Sequence, residues 1–232
     1  MQERAAAIIV AAGSSSRMGG RDKLWIPLAG RITLARTIDV FDASPLIERI
    51  ILVLNPERVA DARALCQDEQ WSKISGIVPG GSRRQDSVGL GLDTLANVAP
   101  TTRWVMIHDG ARPLVAPALL EAGLKAAQEY SAAIAAVAVK DTIKQVQQSM
   151  VHATLDRSQL WAIQTPQVFS FPLIHSAHHS PLAQEDVTDD AALLERLGKP
   201  VAIFPGSYTN IKITTQEDIL ITEALIRGAT TV

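Results

Sequence analysis

Short, continuously apolar runs alternate along the chain with longer stretches in which apolar residues recur at helical spacing. Residues 5–10, 49–54, 104–108 and 132–139 are apolar runs of strand length, and residues 74–78 form a weaker one. A run without polar alternation is typical of a parallel strand that is buried on both faces. The pattern therefore predicts strands at these five places.

The stretches between the runs carry helix signals. Asn55 and Pro56 offer an N-cap followed by proline at the first helical position, and Pro117 opens another helix in the same way. A further stretch has an apolar stripe at helical spacing, made of Val88, Leu92, Leu95 and Ala96. Strands that alternate with helices indicate βαβ units. We therefore expect an α/β fold with a Rossmann-like, mostly parallel sheet covered by helices on both faces, and a ligand at the carboxyl ends of its strands.

One segment departs from this alternation. Residues 142–146 and 151–155 have the pattern of two strands around the polar residues 147–150, which predicts a protruding β-arm at about 140–157. Because an isolated hairpin is only marginally stable in water, we expect the arm to pack on another surface, such as a second subunit. We see no linker or repeat elsewhere, so residues 1–232 are predicted to form a single domain.

The charge balance argues against a general attraction to polyanions. The chain has 22 Lys and Arg against 24 Asp and Glu, so neither nucleic acid nor a membrane surface is an expected partner. Cys66 is the only cysteine, which excludes an internal disulfide and fits a reducing cytoplasm. His175, His178 and His179 could share a helix face, but we expect a plain polar face there and no transition-metal site.

The loop after the first apolar run, at residues 11–23, combines small residues with basic ones. Small residues let backbone N–H groups approach a phosphate, and the cations Arg17, Arg21 and Lys23 could neutralise it. Neither the Walker A spacing nor Gly-x-Gly-x-x-Gly is present. A solvated loop would have the same composition, but the position at the end of a strand favours a triphosphate site.

Other polar residues are expected at the same sheet edge. Asp109 and Arg112 follow the run at 104–108, where a carboxylate could orient hydrated Mg²⁺ or the two side chains could form a local ion pair. Backbone groups of residues 80–87, together with Ser87, could bind the edge of a base, although Gly-Gly-Ser is ordinary loop chemistry. Isolated cations beside apolar segments, such as Arg157 and Lys212, more often only face solvent.

Taken together, these motifs resemble the 2-C-methyl-D-erythritol 4-phosphate cytidylyltransferases of the non-mevalonate isoprenoid pathway. The resemblance covers nearly the whole chain. Its marks, in order, are Ala11-Ala-Gly with Arg17-Met-Gly and Lys23, Gly80-Gly to Asp86-Ser-Val88, His108-Asp-Gly-Ala-Arg-Pro113, Val139-Lys-Asp-Thr142, Asp156-Arg157 with Leu160-Trp161, Thr165-Pro-Gln167, Thr188-Asp-Asp190, and Asn210-Ile-Lys-Ile-Thr214.

The resemblance implies transfer of CMP from CTP to a polyol phosphate, with release of pyrophosphate and with Mg²⁺ held mainly through the CTP phosphates. It assigns the catalytic roles to four cations. Arg17 and Lys23 would stabilise the transition state around the triphosphate, and Arg157 and Lys212 would position the polyol phosphate for attack. It places the cytosine and ribose contacts on Ala11, Ala12, Gly13, Gly81, Ser82, Ser87, Asp109 and Ala111, and the lining of the polyol phosphate site on Arg112 and Thr142. It also implies a homodimer in which the β-arm reaches into the neighbouring site.

Two departures from the family pattern leave these charged groups in place. Asp22 precedes Lys23 where the family usually has proline, and Gly110 replaces an alanine. Two alternatives stay open at this point: a cytidylyltransferase that acts on ribitol 5-phosphate, and a nucleotide-binding protein without activity. The second alternative is less favoured, because a retired site would be free to lose its four cations.

Overall fold

The computed structural model describes residues 3–13 and 22–230. The strands in chain order are β1 (Ala5–Ala11), β2 (Pro27–Leu28), β3 (Arg31–Ile32), β4 (Ile47–Leu54), β5 (Ile74–Pro79), β6 (Trp104–Asp109), β7 (Ala132–Ala138), β8 (Lys144–Gln147), β9 (Met150–Thr154), β10 (Trp161–Ser170) and β11 (Ala202–Pro205). The helices are α1 (Thr33–Ala43), α2 (Val59–Glu69), α3 (Arg84–Val98), α4 (Pro117–Tyr130), α5 (Phe171–His178), α6 (Ala191–Arg196) and α7 (Gln216–Thr230).

Within the described residues, seven strands form the main sheet, in the order β11-β7-β10-β6-β1-β4-β5. β1 lies in the interior of the sheet and pairs in parallel with β4 and β6. β10 is antiparallel to both of its neighbours, β6 and β7. The remaining pairs are parallel. The predicted α/β fold with a mostly parallel sheet is therefore confirmed, with β10 as the reversed strand.

Two apolar cores lie on opposite faces of the sheet. Side chains of β1 alternate between them, since Ile9 belongs to one core and Ile8 to the other. The first core includes residues of α1, α2 and α4, such as Phe41 and Leu120. The second includes residues of α3, α5 and α6, such as Leu92. Burial on both faces explains why the central strands are continuously apolar in sequence.

The strands predicted from the apolar runs and the helix starts predicted from proline are observed. β1, β4, β5, β6 and β7 lie at the five predicted places, and α4 begins at Pro117. Asn55 caps a short 3₁₀ turn at Pro56–Arg58, and α2 follows directly after it. No helix in the described parts of the chain has both the length and the apolar character needed to cross a membrane.

A two-stranded hairpin occupies part of the segment for which an arm was predicted. β8 and β9 pair in antiparallel fashion, and the turn between them has positive φ at Gln148 and Ser149. Val146, Met150 and Val151 are each more than half exposed. Such apolar exposure on a hairpin is a feature of surfaces that bind another protein chain.

The base of this hairpin is fastened to the body of the protein. Arg157 Nη1 donates a hydrogen bond to the carbonyl oxygen of Lys140 at 2.8 Å. The ammonium group of Lys140 lies 3.4 Å from the ring centroid of Tyr208, whose hydroxyl donates to the carbonyl oxygen of Ala138. These contacts fix where the hairpin leaves the sheet.

Candidate active site

A cavity of about 480 Å³ opens at the carboxyl ends of β1, β4 and β6. This is the edge at which ligands bind in open α/β sheets. Its lining consists of Val10, Ala11, Ala12, Gly13, Lys23, Leu24, Asn55, Pro56, Gly81, Ser82, Arg83, Arg84, Ser87, Asp109, Ala111 and Lys212. We call this space the first cavity. It brings together ten of the fourteen residues for which the sequence predicted a functional role.

A second cavity, of about 520 Å³, lies beside the first. Its lining consists of Arg84, Asp109, Arg112, Ile134, Ile163, Gln164, Thr165, Gln167, Thr188, Asp189, Ala192, Glu195, Val201, Ile203 and Lys212. Arg84, Asp109 and Lys212 line both cavities, so these three side chains form the boundary between them. Two ligands bound on either side of that boundary would meet at a charged cluster.

Asp109 is the centre of this cluster. Its Oδ1 accepts a hydrogen bond from Arg84 Nε at 3.2 Å, and its Oδ2 lies 2.8 Å from Lys212 Nζ. Arg112 Nε lies 3.7 Å from the same Oδ2. A single carboxylate thus holds three cations that point toward the two cavities.

Burial and charge act on Asp109 in opposite directions. Burial raises the pKa of the Asp109 carboxyl, but the nearby charges of Arg84 and Lys212 outweigh it, and the pKa is held well below its usual range. Burial lowers the pKa of Arg112, and Asp109 offsets only part of that effect. Burial also lowers the pKa of Arg84, but Asp190 and Asp109 raise it more. Asp109, Arg84 and Arg112 are therefore ionised at neutral pH.

Lys212 is positioned by its chain neighbours. The N–H of Ile213 donates to the carbonyl oxygen of Ala111 at 2.8 Å, which joins this segment to the loop after β6. The buried side chain of Asn210 donates to the carbonyl oxygen of Thr165 at 2.8 Å. Arg112 Nη1 donates to the carbonyl oxygen of Asn210 at 2.7 Å. The ammonium group therefore reaches Asp109 from a fixed backbone.

His108 orients Asp109 through the hydroxyl group of Thr165. The N–H of Asp109 donates to Thr165 Oγ1 at 3.1 Å, and Thr165 Oγ1 lies 3.1 Å from His108 Nδ1. His108 Nε2 lies 3.3 Å from the carbonyl oxygen of Arg112, which can only accept, so Nε2 carries the proton and Nδ1 accepts from Thr165. Burial lowers the pKa of His108 to about 3, so the ring is neutral at physiological pH.

This neutral histidine predicts a specific pH dependence of stability. Below about pH 6.5 the unfolded chain binds a proton at His108, whereas the native site binds it only near pH 3. Neutral His108 therefore contributes its full share of the unfolding free energy above about pH 6.5. This share is lost as pH falls from there toward about 3, by up to about 1.4 kcal/mol per pH unit. We expect His108→Gln to flatten the fall in unfolding free energy between about pH 6.5 and 4, measured with urea. The exposed His152→Gln variant should keep the parental slope, and an unchanged slope in His108→Gln would contradict the assignment.

The Gly80-Gly81 loop lies against the start of α3. A side chain at Gly80 would place its Cβ 2.3 Å from Ala12 Cβ, and one at Gly81 would lie 2.5 Å from Asp86 Cβ. Ser87 Oγ accepts from the N–H of Gly81 at 3.1 Å. Gly80 therefore lets this loop approach the end of β1, Gly81 lets it approach α3, and Ser87 fixes its backbone at the wall of the first cavity.

Lys23 also lines the first cavity, and it follows the departure from the family pattern at Asp22. Asp22 Oδ2 lies 3.3 Å from Arg58 Nε, and its Oδ1 accepts from the N–H of Leu24 at 3.1 Å. The acid thus stabilises the turn that carries Lys23. Arg17, the other cation assigned to the triphosphate, lies outside the described residues.

Thr142 and Arg157 are not among the residues that line either cavity of the same chain. Both are exposed and lie beside the hairpin strands β8 and β9. Two of the fourteen predicted residues are therefore placed apart from the rest within one chain.

Arg84 lines both cavities, yet the sequence pattern predicts no functional role for it. Its Nη1 donates to the fully buried Asp190 at 2.7 Å, while Nε donates to Asp109. Asp190 belongs to the Thr-Asp-Asp motif of the resemblance, 106 residues further along the chain. The signal in the sequence that could have indicated a role is a basic residue at the start of α3. Its pairing with Asp190 depends on the tertiary structure.

Comparisons with known proteins agree along nearly the whole chain. A family model described as 2-C-methyl-D-erythritol 4-phosphate cytidylyltransferase (IspD) matches residues 5–228. The curated protein of that name from Dehalococcoides mccartyi is 45% identical over 228 residues, which is 98% of each chain. The one from Syntrophotalea carbinolica is 46% identical over 222 residues, or 94% of each chain.

Solved structures give the same result. A 4-diphosphocytidyl-2C-methyl-D-erythritol synthase from Anaerococcus prevotii superposes with a TM-score of 0.84 at 33% identity and covers 97% of this chain and 99% of its own. The 2-C-methyl-D-erythritol 4-phosphate cytidylyltransferase from Thermus thermophilus superposes with a TM-score of 0.78 at 29% identity, with coverage of 97% and 99%.

The fold, the two adjoining cavities and these similarities define the chain as a nucleotidyltransferase, a class that suggests a divalent metal as cofactor. It belongs to the 2-C-methyl-D-erythritol 4-phosphate cytidylyltransferase family. The family and the enzyme class predicted from the sequence are thus confirmed, as is the association with the non-mevalonate isoprenoid pathway.

Proposed function

We propose that this protein transfers CMP from CTP to 2-C-methyl-D-erythritol 4-phosphate and releases pyrophosphate, forming 4-diphosphocytidyl-2-C-methyl-D-erythritol. The observation that carries the proposal is the boundary between the cavities, where Asp109, Arg84 and Lys212 line both spaces in a chain of this family. A transferase for two anionic substrates needs such a cationic boundary, because the reacting phosphates must be brought together against their mutual repulsion.

CTP occupies the first cavity in this proposal. The cytosine and ribose lie against residues at the ends of β1 and β6, in the Gly80-Gly81 loop and at the start of α3, namely Ala11, Ala12, Gly13, Gly81, Ser82, Ser87, Asp109 and Ala111. The triphosphate extends toward Lys23, and the family resemblance assigns Arg17 to it as well. Small residues at this wall let a ligand approach the backbone closely, which suits a planar base and a phosphate chain.

The acceptor occupies the second cavity. Lys212 and Arg112 supply cations from the body of the same chain, and both belong to the lining of that space. Gln164, Thr165 and Thr188 supply the hydroxyl and amide groups that a polyol requires. The polyol phosphate is therefore held with its phosphate at the charged boundary.

The reaction is a direct in-line displacement. An anionic oxygen of the acceptor phosphate attacks the α-phosphorus of CTP, and the bond between that phosphorus and the oxygen of the β-phosphate breaks as pyrophosphate leaves. The attacking oxygen carries no proton, so no general base is required. Positioning by Lys212 and Arg157, and charge stabilisation by Lys23 and Arg17, supply the catalysis.

Mg²⁺ is the divalent cation that we assign to the nucleotide. Asp109 is the sole carboxylate among the described residues that line the first cavity, and its two oxygens are already bonded to Arg84 and Lys212. This donor set fits an ion that is carried mainly by the triphosphate, as Mg²⁺ bound to nucleotides usually is. When bound there, Mg²⁺ neutralises part of the phosphate charge.

The working unit is a homodimer in which the β8–β9 hairpin of one copy completes the second cavity of the other. Thr142 and Arg157 are exposed and absent from the cavity linings of their own chain, whereas the family resemblance assigns both to the acceptor. The exposed apolar residues of the hairpin supply a surface for contact with the partner. We further propose that the chain acts as one nucleotidyltransferase domain in the cytoplasm.

Mixing two inactive variants tests this assembly. If the arm acts on the partner's site, Arg157→Ala co-expressed with Lys23→Ala should recover about a quarter of parental activity, because half of the dimers are mixed and each mixed dimer holds one intact site. Lys23→Ala mixed with Asp109→Asn should recover none, since both changes affect the body of the chain. Activity of the first mixture no higher than that of its separate components would contradict the dimer proposal.

The function itself is tested by pyrophosphate release from CTP and Mg²⁺, with 2-C-methyl-D-erythritol 4-phosphate and ribitol 5-phosphate as parallel acceptors. Release with the methylerythritol phosphate alone is the expected result. Release with ribitol phosphate alone would keep the reaction and overturn the acceptor. Measurable CTP binding without release for either acceptor would favour a nucleotide-binding protein without activity.

A further inference from the structure

Asp93, His175 and His179 form a cluster on the surface, at the contact between α3 and the end of α5. Asp93 belongs to α3, His175 belongs to α5, and His179 is the residue at which α5 ends. Their ligand atoms, one carboxylate oxygen and two imidazole nitrogens, all lie within 4.8 Å of one another. None of the three lines either cavity of the active site.

Two of the three separations between the ligand atoms match those found around a tetrahedral metal ion. Asp93 Oδ1 lies 3.1 Å from His175 Nε2 and 3.2 Å from His179 Nε2. Ligands of a tetrahedral Zn²⁺ at bond lengths of about 2.0–2.2 Å are separated by roughly 3.3 Å. The two separations are therefore close to the edge length of such a tetrahedron even without a bound ion.

The orientation of the rings supports the same conclusion. His179 Nδ1 lies 2.8 Å from the carbonyl oxygen of His175, which can only accept, so Nδ1 carries a proton. In the neutral ring the lone pair is then on Nε2, which faces the carboxylate of Asp93. Two lone pairs that face each other at 3.2 Å need a proton or a cation between them.

The rings are also held in place. His175 stacks on Phe171 with ring centroids 5.3 Å apart, and the His175 and His179 rings lie 4.4 Å apart. Preorganised imidazoles one helical turn apart lose little freedom when they bind a metal. The side chains of Asp93, His175 and His179 are 48%, 31% and 52% exposed, so an ion can enter from solvent.

We propose that Asp93, His175 and His179 bind one divalent transition-metal ion of the Zn²⁺ class, separate from the Mg²⁺ that accompanies CTP. Imidazole nitrogens with one carboxylate suit Zn²⁺ or Cu²⁺, whereas Mg²⁺ prefers oxygen ligands. Three protein ligands leave a fourth position for water. The proposal departs from the plain polar face expected from the sequence, because Asp93, which completes the ligand set, is 82 residues from His175 along the chain.

The bound ion would clamp α5 to α3. The start of α3 carries Arg84 at the boundary of the two cavities, roughly 13 Å along the helix from Asp93. A ligand that binds only the native state stabilises it by mass action. The site would therefore raise the stability of the helix that supports the active site without entering the reaction.

The experiment is a calorimetric titration of Zn²⁺ into the full-length protein after removal of metals with a chelator, without CTP or acceptor. We expect the titration to give one Zn²⁺ per chain. In thermal unfolding, Tm should rise by about 5 °C when free Zn²⁺ exceeds Kd a hundredfold. His179→Gln and Asp93→Asn should each weaken binding about tenfold or more. Mg²⁺ should give no comparable heat.

Matched controls separate this site from incidental metal binding. The exposed variants His152→Gln and Asp68→Asn should keep parental affinity, and far-ultraviolet circular dichroism confirms that each variant is folded. In the parental protein, electron paramagnetic resonance of one equivalent of Cu²⁺ should show coupling to two imidazole nitrogens. The proposal is overturned if the parental protein takes up no Zn²⁺, if the two ligand variants bind it as well as the controls do, or if Cu²⁺ shows no coupling to two nitrogens.

Discussion

Lys23→Ala is expected to lower kcat for CMP transfer about 10²- to 10³-fold, with a much smaller change in KM for the acceptor. Lys23 lines the first cavity beside Gly13, where the triphosphate is proposed to lie. A cation in this position interacts most strongly with the charge that grows on the phosphate oxygens as pyrophosphate leaves. Its removal therefore costs more in the transition state than in the bound substrate.

Steady-state kinetics with both substrates varied measures this effect. Lys125→Ala is the matched control, because Lys125 is an exposed lysine on α4 that lines neither cavity. It should retain parental kcat and KM. Parental turnover in Lys23→Ala, or a loss confined to KM for the acceptor, would remove Lys23 from the catalytic role.

Asp109→Asn is expected to lower the unfolding free energy by about 3 kcal/mol at neutral pH and to abolish most activity. The change keeps the shape of the side chain but leaves Lys212 and Arg112 without their negative partner. Arg84 retains Asp190, which limits the loss. The figure is at the lower end of the usual range for a broken buried pair, since Lys212 and Arg84 are partly exposed.

Urea unfolding over a range of pH measures this loss and fixes its sign. The pKa of Asp109 is depressed in the native state, so its contribution is present above the ordinary carboxyl pKa and is lost as pH falls through the native value. The stabilities of the parental protein and the variant should therefore converge at acid pH. Asp68→Asn, on the exposed face of α2, should leave stability unchanged. Equal stability of Asp109→Asn and the parental protein at neutral pH would contradict the role of the cluster.

The parts of the fold that could be predicted from sequence are those in which burial alone sets the residue type. β1, β4, β6 and β7 are buried on both faces and are continuously apolar. β10 was missed because Gln164, Thr165 and Gln167 interrupt its apolar pattern. In the structure these polar residues are buried and line the second cavity. The strand therefore has polar residues at positions where a buried strand is usually apolar.

The candidate site divides in a similar way. Residues in loops after β1 and β6 could be placed together from sequence, because the carboxyl ends of parallel strands share one edge of the sheet. The pairing of Arg84 with both Asp109 and Asp190 could not, since it joins segments that only the folded sheet brings into contact. The same limit applied to Asp93 and the two histidines of the proposed metal site.

Gly110 illustrates a departure whose effect the structure makes concrete. A Cβ at this position would lie 3.2 Å from Leu34 Cδ1 and 3.3 Å from Ala11 Cβ. An alanine would thus be tight against the wall of the first cavity but would not meet a charged group. The position of Gly110 could be predicted because it follows Asp109 in sequence. The neighbours that surround it could be identified only from the folded structure.

The most direct test of the central claim uses 2-C-methyl-D-erythritol 4-phosphate whose phosphate oxygens carry ¹⁸O, with CTP, Mg²⁺ and the purified protein. Mass spectrometry of the products shows which bonds have formed and broken. We predict that all of the label stays in the cytidylylated polyol, where one labelled oxygen bridges the two phosphorus atoms, and that pyrophosphate is unlabelled. Label in the pyrophosphate, or a product that lacks the CMP group, would contradict attack by the acceptor phosphate on the α-phosphorus.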